Sequence, residues 1–111
     1  MLEELFQILN GILPNKVFYG TNEYDNGDNA SMPYIVYEEI GKRPIGYHDD
    51  LPINYSSTIQ ITLVTAKKDL NLEHSLESSL LENELVFQVV SEYKNSDKSI
   101  NRIYEIKMED F

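Results

Sequence analysis

The sequence predicts an α+β domain, a mainly antiparallel sheet of about four strands with two helices packed on one face. Two segments place apolar residues at helical spacing, and several others alternate with a period of two. Consecutive strand segments are joined by hairpin-like links, which argues for an antiparallel sheet.

Leu2 to Leu13 is the first helical segment. Leu2, Leu5, Phe6, Leu9 and Leu13 form an apolar stripe that Ile8 and Ile12 widen, and Pro14 ends the run. Glu3 and Glu4 occupy the first turn, where the helix dipole favours acids. Val17-Phe18-Tyr19 has the composition of a short strand. From Gly20 to Pro33 the chain turns polar, and Asn26-Gly27 marks a turn. This stretch fails as a calcium loop. With Gly27 at the sixth position, Asn22 falls first, Tyr24 third and Pro33 twelfth, where a glutamate is needed.

Tyr34 to Ile40 is rich in aromatic and β-branched residues and reads as a strand, with Tyr34, Val36 and Ile40 sharing one face. Gly41 to Asn54 reads as a long irregular loop. Tyr55 to Thr65 is the clearest strand: Ile59, Ile61 and Leu63 alternate with Thr58, Gln60, Thr62 and Val64, one face buried and one mainly polar. Lys67-Lys68 closes it. Asp69 to Asn83 is the second helix, with Leu72, Leu76 and Leu80 at i, i+4 and i+8, joined by Leu81, and with Asp69, Asn71 and Glu73 as capping or dipole-favoured groups. Two strands close the chain. Val86 to Tyr93 contains Phe87, Val89 and Val90, and Ile100 to Met108 alternates through Tyr104, Ile106 and Met108, with Lys94 to Ser99 as the turn between them.

With 111 residues, 41% of them apolar, the chain suffices for one core, so residues 1–111 read as a single domain. It holds no run of the ~20 apolar residues that a membrane helix needs. The acidic start, Met1-Leu2-Glu3-Glu4, is unlike the basic start of an export signal. A cytosolic origin is therefore expected, and the sequons at Asn29 and Asn54 read as accidental. Without cysteine there is no disulfide framework, zinc-thiolate site or thiol nucleophile. Nineteen acids against nine bases give a net charge of −10. That balance disfavours free-standing nucleic-acid binding, which depends on Lys and Arg neutralising phosphates. Two readings of the charge stand: solubility, or an acidic surface past which DNA moves without adhering.

Chemistry finds little purchase. His48 and His74 are the only imidazoles. His74 lies between Glu73 and Glu77, but no second histidine sits at ligand spacing, and it reads as an exposed helix residue. His48-Asp49-Asp50 could bind a divalent ion or form a base oriented by an acid. Adjacent residues in an extended loop do not converge on one atom, however, and the loop offers only Tyr47, Tyr55, Ser56 and Ser57 as further reactive groups. No phosphate-cradling glycine motif is present. No catalytic residue, metal or cofactor is expected. The same loop reads as a contact arm through Arg43, Pro44, Ile45, Tyr47, Leu51, Ile53 and Tyr55, a concentration of apolar groups with the Tyr and Arg that interfaces favour. The competing reading folds it back over the domain's own core.

The N-terminal helix is followed in order by "MPYIVYEEIG" (Met32 to Gly41), an intervening loop and "YSSTIQITLVTAKKD" (Tyr55 to Asp69). A helix patterned "LEHSLESSLLEN" and closing strands ending in "INRIYEIKMEDF" complete the chain. In this order and spacing, over nearly its whole length, the sequence resembles the small tail-completion, or tail-terminator, proteins of long-tailed bacteriophages and prophages. The resemblance implies a sheet flanked by helices and a structural role without catalytic residues. Such proteins form a ring, commonly hexameric, on the head-proximal end of the tail tube. The ring ends tube polymerisation and joins tail to head. The implied partners are further copies of the chain, the tail-tube protein and the head connector or neck proteins, with DNA only as passing cargo and no membrane. The implied location is the bacterial host cytoplasm during assembly and then the virion tail or neck. Two other readings remain at this point: another neck component, such as a head-closure or adaptor protein, and a small acidic protein-binding or inhibitor module that mimics nucleic acid.

Overall fold

The computed structural model describes residues 2–24, 27–48 and 51–110. The chain runs α1 (Leu2–Asn10), β1 (Val17–Tyr19), β2 (Tyr34–His48), β3 (Leu51–Thr65), α2 (Leu70–Glu82), β4 (Phe87–Lys94) and β5 (Ile100–Asp110). The α+β class and both helices match the sequence reading. The sheet differs in detail. It has five strands in the order β1-β2-β3-β5-β4, and it is mixed, because β1 pairs parallel to β2 while the other pairs are antiparallel. A link of fourteen residues, Gly20 to Pro33, separates β1 from β2, long enough to carry the chain back for parallel pairing.

A larger correction concerns residues 41–54, read as a loop from the sequence. They continue the two central strands instead. β2 and β3 are 15 residues each and pair from Tyr34↔Val64 to His48↔Leu51. Two glycines and two prolines break the expected alternation, and the ladder takes them up through register shifts at Glu39/Gly41, Pro44/Gly46 and Gly46/Tyr47.

The register explains the core. Ile35, Leu63 and Arg102 lie in one row across β2, β3 and β5; Tyr37, Ile61 and Tyr104 lie in the next; Glu39, Ile59 and Ile106 follow. Side chains two apart share a face, so these rows line one surface of the sheet. Ile35, Tyr37, Ile59, Ile61, Leu63, Tyr104 and Ile106 are buried there with Leu5 and Leu9 of α1 and Leu76 and Leu80 of α2, so both helices cover the same face. The face that Tyr34, Val36 and Ile40 were expected to share is not the core face: Ile35 and Tyr37 are buried, whereas Ile40 is exposed. At one end of the uncovered face the loop before β2 folds over the sheet, where Tyr24 packs edge-on against Phe18 and Phe18 against Tyr34.

Helix α2 is closed at both ends by its own sequence. The Asp69 carboxylate accepts the Leu72 N–H at 3.0 Å, satisfying one of the free donors of the first turn. At the other end Glu84 adopts the left-handed region (φ 61°), its N–H donates to the Leu81 carbonyl at 3.0 Å, and the Leu85 N–H donates to the Leu80 carbonyl at 2.8 Å. This paired closure turns Leu85 back onto the core beside Leu80. The turn between β4 and β5 closes with the Asn95 N–H on the Ser99 carbonyl at 2.8 Å, as the polar Lys94-to-Ser99 stretch predicts.

The radius of gyration is 15.3 Å, with extents of 53 × 31 × 26 Å. A compact chain of this length has a radius near about 13 Å. The excess comes from the long β2–β3 hairpin.

Candidate functional site

Strand β5 follows β3 only as far as the pair Tyr55↔Asp110. Strand β1 follows β2 only from Ile35 to Tyr37, with one further bond, the Glu39 N–H to the Tyr19 hydroxyl at 3.2 Å. Beyond these points the hairpin continues as a two-stranded ribbon, residues 46–48 paired with 51–54. Neither edge of the ribbon carries a further strand among the described residues. A lone ribbon of this kind is marginal in water and leaves two rows of backbone N–H and C=O groups open.

This ribbon and its base hold the residues singled out from the sequence. Arg43 faces Ser56 and Pro44 faces Tyr55 across the ladder, and all but Ser56 are exposed. Ile45 is skipped by the pairing between Pro44 and Gly46 and is exposed too. The backbones of Tyr47, Leu51 and Ile53 lie in the two strands, while their side chains lie outside what the structure describes. The His48-Asp49-Asp50 group falls on the same end, and Asp49 and Asp50 lie outside the described residues. On the core-side face of the base, the Lys42 ammonium sits 5.3 Å from the centre of the Tyr55 ring. Ser57, opposite Lys42, is fully buried, and its hydroxyl has no hydrogen-bond partner among the described residues.

Sequence reasoning missed a second cluster, where α2 crosses β5 and β4. The Arg102 guanidinium donates to Tyr104 Oη at 2.8 Å, to Glu77 at 3.2 Å and to Glu92 at 3.1 Å, and it lies 3.5 Å from Glu73. Tyr104 donates its own proton to Glu77 at 2.8 Å. Lys68 donates to Glu73 at 2.9 Å and to Glu92 at 2.7 Å. Burial works against the Arg102 charge, but the bonds with Tyr104 and Glu92 and the nearby Glu73 outweigh it and hold the guanidinium above its ordinary value. Burial raises the Tyr104 phenol, and its bond to Glu77 adds to that. The hydrogen bond from Lys68 holds the Glu92 carboxyl below the usual range. Glu73 is buried and Glu77 half-buried, one turn apart on α2, so they need cationic partners from the sheet. That was the available signal: acids at i and i+4 beside the Leu72-Leu76-Leu80 stripe, with Arg102 on the core-facing parity of β5. The cluster offers no imidazole or activated nucleophile. It clamps the helix to the sheet.

His74 is exposed on α2, its ring 3.4 Å from the Ser78 hydroxyl. Among the described residues no group of His, Cys, Asp and Glu side chains has the arrangement of a metal site, and no helix is long and apolar enough to cross a membrane. A polar cleft between the loop before β2 and the β4–β5 turn is lined by Asn22, Ser31, Asn95, Asp97 and Asn101. Asn95, Asp97 and Asn101 are tied to one another or to Ser99 and Tyr93. No family model matches this chain, and no curated protein matches it.

Proposed function

We propose that the protein is a structural component of a phage or prophage tail, a ring subunit that caps the head-proximal end of the tail tube, ends its polymerisation and joins tail to head. The observation that carries this reading is the projecting ribbon. It takes Arg43, Pro44, Ile45 and Tyr55 to the margin of the sheet or beyond it, exposed. A ring subunit needs surfaces that differ between its two sides and close by rotation, and an arm reaching past its own domain supplies one of them. The resemblance in order and spacing along the chain supplies the tail context. The role is one of contact rather than catalysis, with other copies, the tail-tube protein and the neck proteins as partners.

Negative-stain microscopy of the purified protein, alone and with tail tubes, tests this reading. Annular particles or tubes capped at one end are expected, and Ile45→Asp combined with Tyr47→Asp abolishes them. Rings unchanged by that pair would remove the arm from the proposal. A protein that neither assembles nor engages tubes would overturn the tail role.

A further inference from the structure

The far half of the β2–β3 hairpin carries two prolines, one on each strand: Pro44 faces Tyr55, and Pro52 faces Tyr47. Facing pairs in an antiparallel ladder alternate between a kind that exchanges two N–H···O bonds and a kind that exchanges none. Proline has no N–H, so both of these pairs belong to the second kind. An unbroken ladder could not provide that. Tyr47 lies three residues past Pro44, and Pro52 lies three residues from Tyr55 on the opposite strand, so the two pairs would differ in kind. One proline would then stand where a bond is due.

Two opposed irregularities resolve the conflict. Ile45 is passed over on β2 and Ile53 on β3, with the single pair Gly46↔Asn54 between them. Only two steps of the ladder then separate the proline pairs, and both fall on the non-exchanging kind. Because one residue is passed over on each strand, Tyr47 still faces Pro52 and His48 still faces Leu51, as they would in a continuous ladder. The bulges leave the outer register as it was and change the kind of pair at Pro52.

At a non-exchanging pair the backbone N–H and C=O point away from the opposite strand, towards the edge. Pro44 therefore takes a donor from the open edge of β2, which β1 follows only to Tyr37. Pro52 takes one from the open edge of β3, which β5 follows only to the pair Tyr55↔Asp110. Each bare edge of the arm is interrupted by a proline and a bulge, and on β2 the charged Lys42 and Arg43 stand beside them.

We propose that Pro44 and Pro52 act as a pair, setting the doubly bulged register and closing both edges of the arm to strand addition. The arm is then held through side chains, such as those of the exposed Arg43 and Ile45, and not as an added strand in a partner's sheet. The same device keeps the arms of two copies from zipping together edge to edge. The inference stands on the ladder alone and does not depend on the ring reading.

Cross-strand NMR contacts between α-protons read the register, because Cα atoms are about 4.5 Å apart in non-exchanging pairs and about 5.5 Å apart in the others. The native chain should show close contacts between residues 44 and 55 and between 47 and 52, and none between 46 and 53. Pro52→Thr makes the continuous ladder available, so the 47–52 contact should give way to one between Gly46 and Ile53. Pro52→Ala should do the same, which assigns the effect to the restored N–H. A native pattern kept in both variants, or a 46–53 contact already present in the native chain, would overturn the register role. For the edges, Pro44→Thr is combined with Pro52→Thr, and sedimentation equilibrium should show self-association tightened by about tenfold over the native chain. Circular dichroism checks that the sheet is retained, and Pro52→Ala, with one edge reopened, gives the same reading if the double variant does not fold. Association no stronger than that of the native chain would overturn the closure of the edges.

Discussion

Tyr104 stands between Arg102 and Glu77: its hydroxyl accepts from the guanidinium at 2.8 Å and donates to the carboxylate at 2.8 Å. A residue of the sheet floor thus links a cation of its own strand to an acid of the helix above it. The ring lies in the apolar core, packed edge-on against Phe87 with centroids 5.5 Å apart, while its hydroxyl belongs to the ionic cluster.

Arg102→Met should destabilise the fold by about 2–4 kcal/mol, because Glu77 loses its cation and Glu73 is left with Lys68 alone while both stay against the core. Urea unfolding monitored by circular dichroism measures it. Adding Glu73→Gln should recover part of the loss, as expected for residues in one network.

The alkaline limb of stability should depend on Tyr104. Its phenol is raised above the ordinary value of 10.0 by burial and by Glu77. The neutral ring therefore contributes stability that is fully present below that value and declines as pH rises towards the raised one. Lys68, raised mainly by its bond to Glu92, loses its contribution in the same direction. Tyr104→Phe should lower stability at neutral pH by about 1 kcal/mol. Above pH 10 it should flatten the decline by up to about 1.4 kcal/mol per pH unit. Urea midpoints between pH 8 and pH 11.5 read both effects.

Ser57→Ala should be neutral or stabilising, by up to about 1 kcal/mol, because it removes a buried hydroxyl without a partner. Thermal melts compare the two proteins, and a clear loss of stability would show that the hydroxyl has a partner in solution.

Glu84→Gly should stabilise by about 1 kcal/mol, since Glu84 holds a left-handed conformation that glycine adopts without strain. The same substitution at Glu82, the last residue of α2, should destabilise, by less than the ~1 kcal/mol that glycine costs in a helix interior. The opposite signs, read by chemical denaturation, isolate the backbone effect from the loss of charge.

The parts of the fold legible in the sequence are those with one clear period. Leu5 and Leu9, Leu76 and Leu80, and Ile59, Ile61 and Leu63 fall on buried faces as their spacing requires. Asp69 is the cap its position implies. Tyr34 to Ile40 was harder, because apolar groups occupy both parities and the faces can be told apart only by what covers them. Gly41 to Asn54 hid its strands for another reason: its glycines and prolines signal turns, yet register shifts place them within a continuous ladder. The sequence marked this stretch as the candidate contact region without showing that it is a projecting ribbon. The Arg102 cluster joins residues far apart in sequence and surfaces only as an unexplained pair of acids on the helix stripe.

The ribbon past Tyr55 and Asp110 also divides the chain by its tolerance to change. Substitutions beneath the helices are judged by the whole core at once, since buried side chains of both helices and of β1, β2, β3 and β5 form one cluster. Towards the far end of the hairpin the described backbone pairs only with the opposite strand. Variation can accumulate there, altering what the molecule grips while the domain behind it keeps its shape. Related chains should therefore diverge fastest at this tip, with changes matched on the surface that receives it.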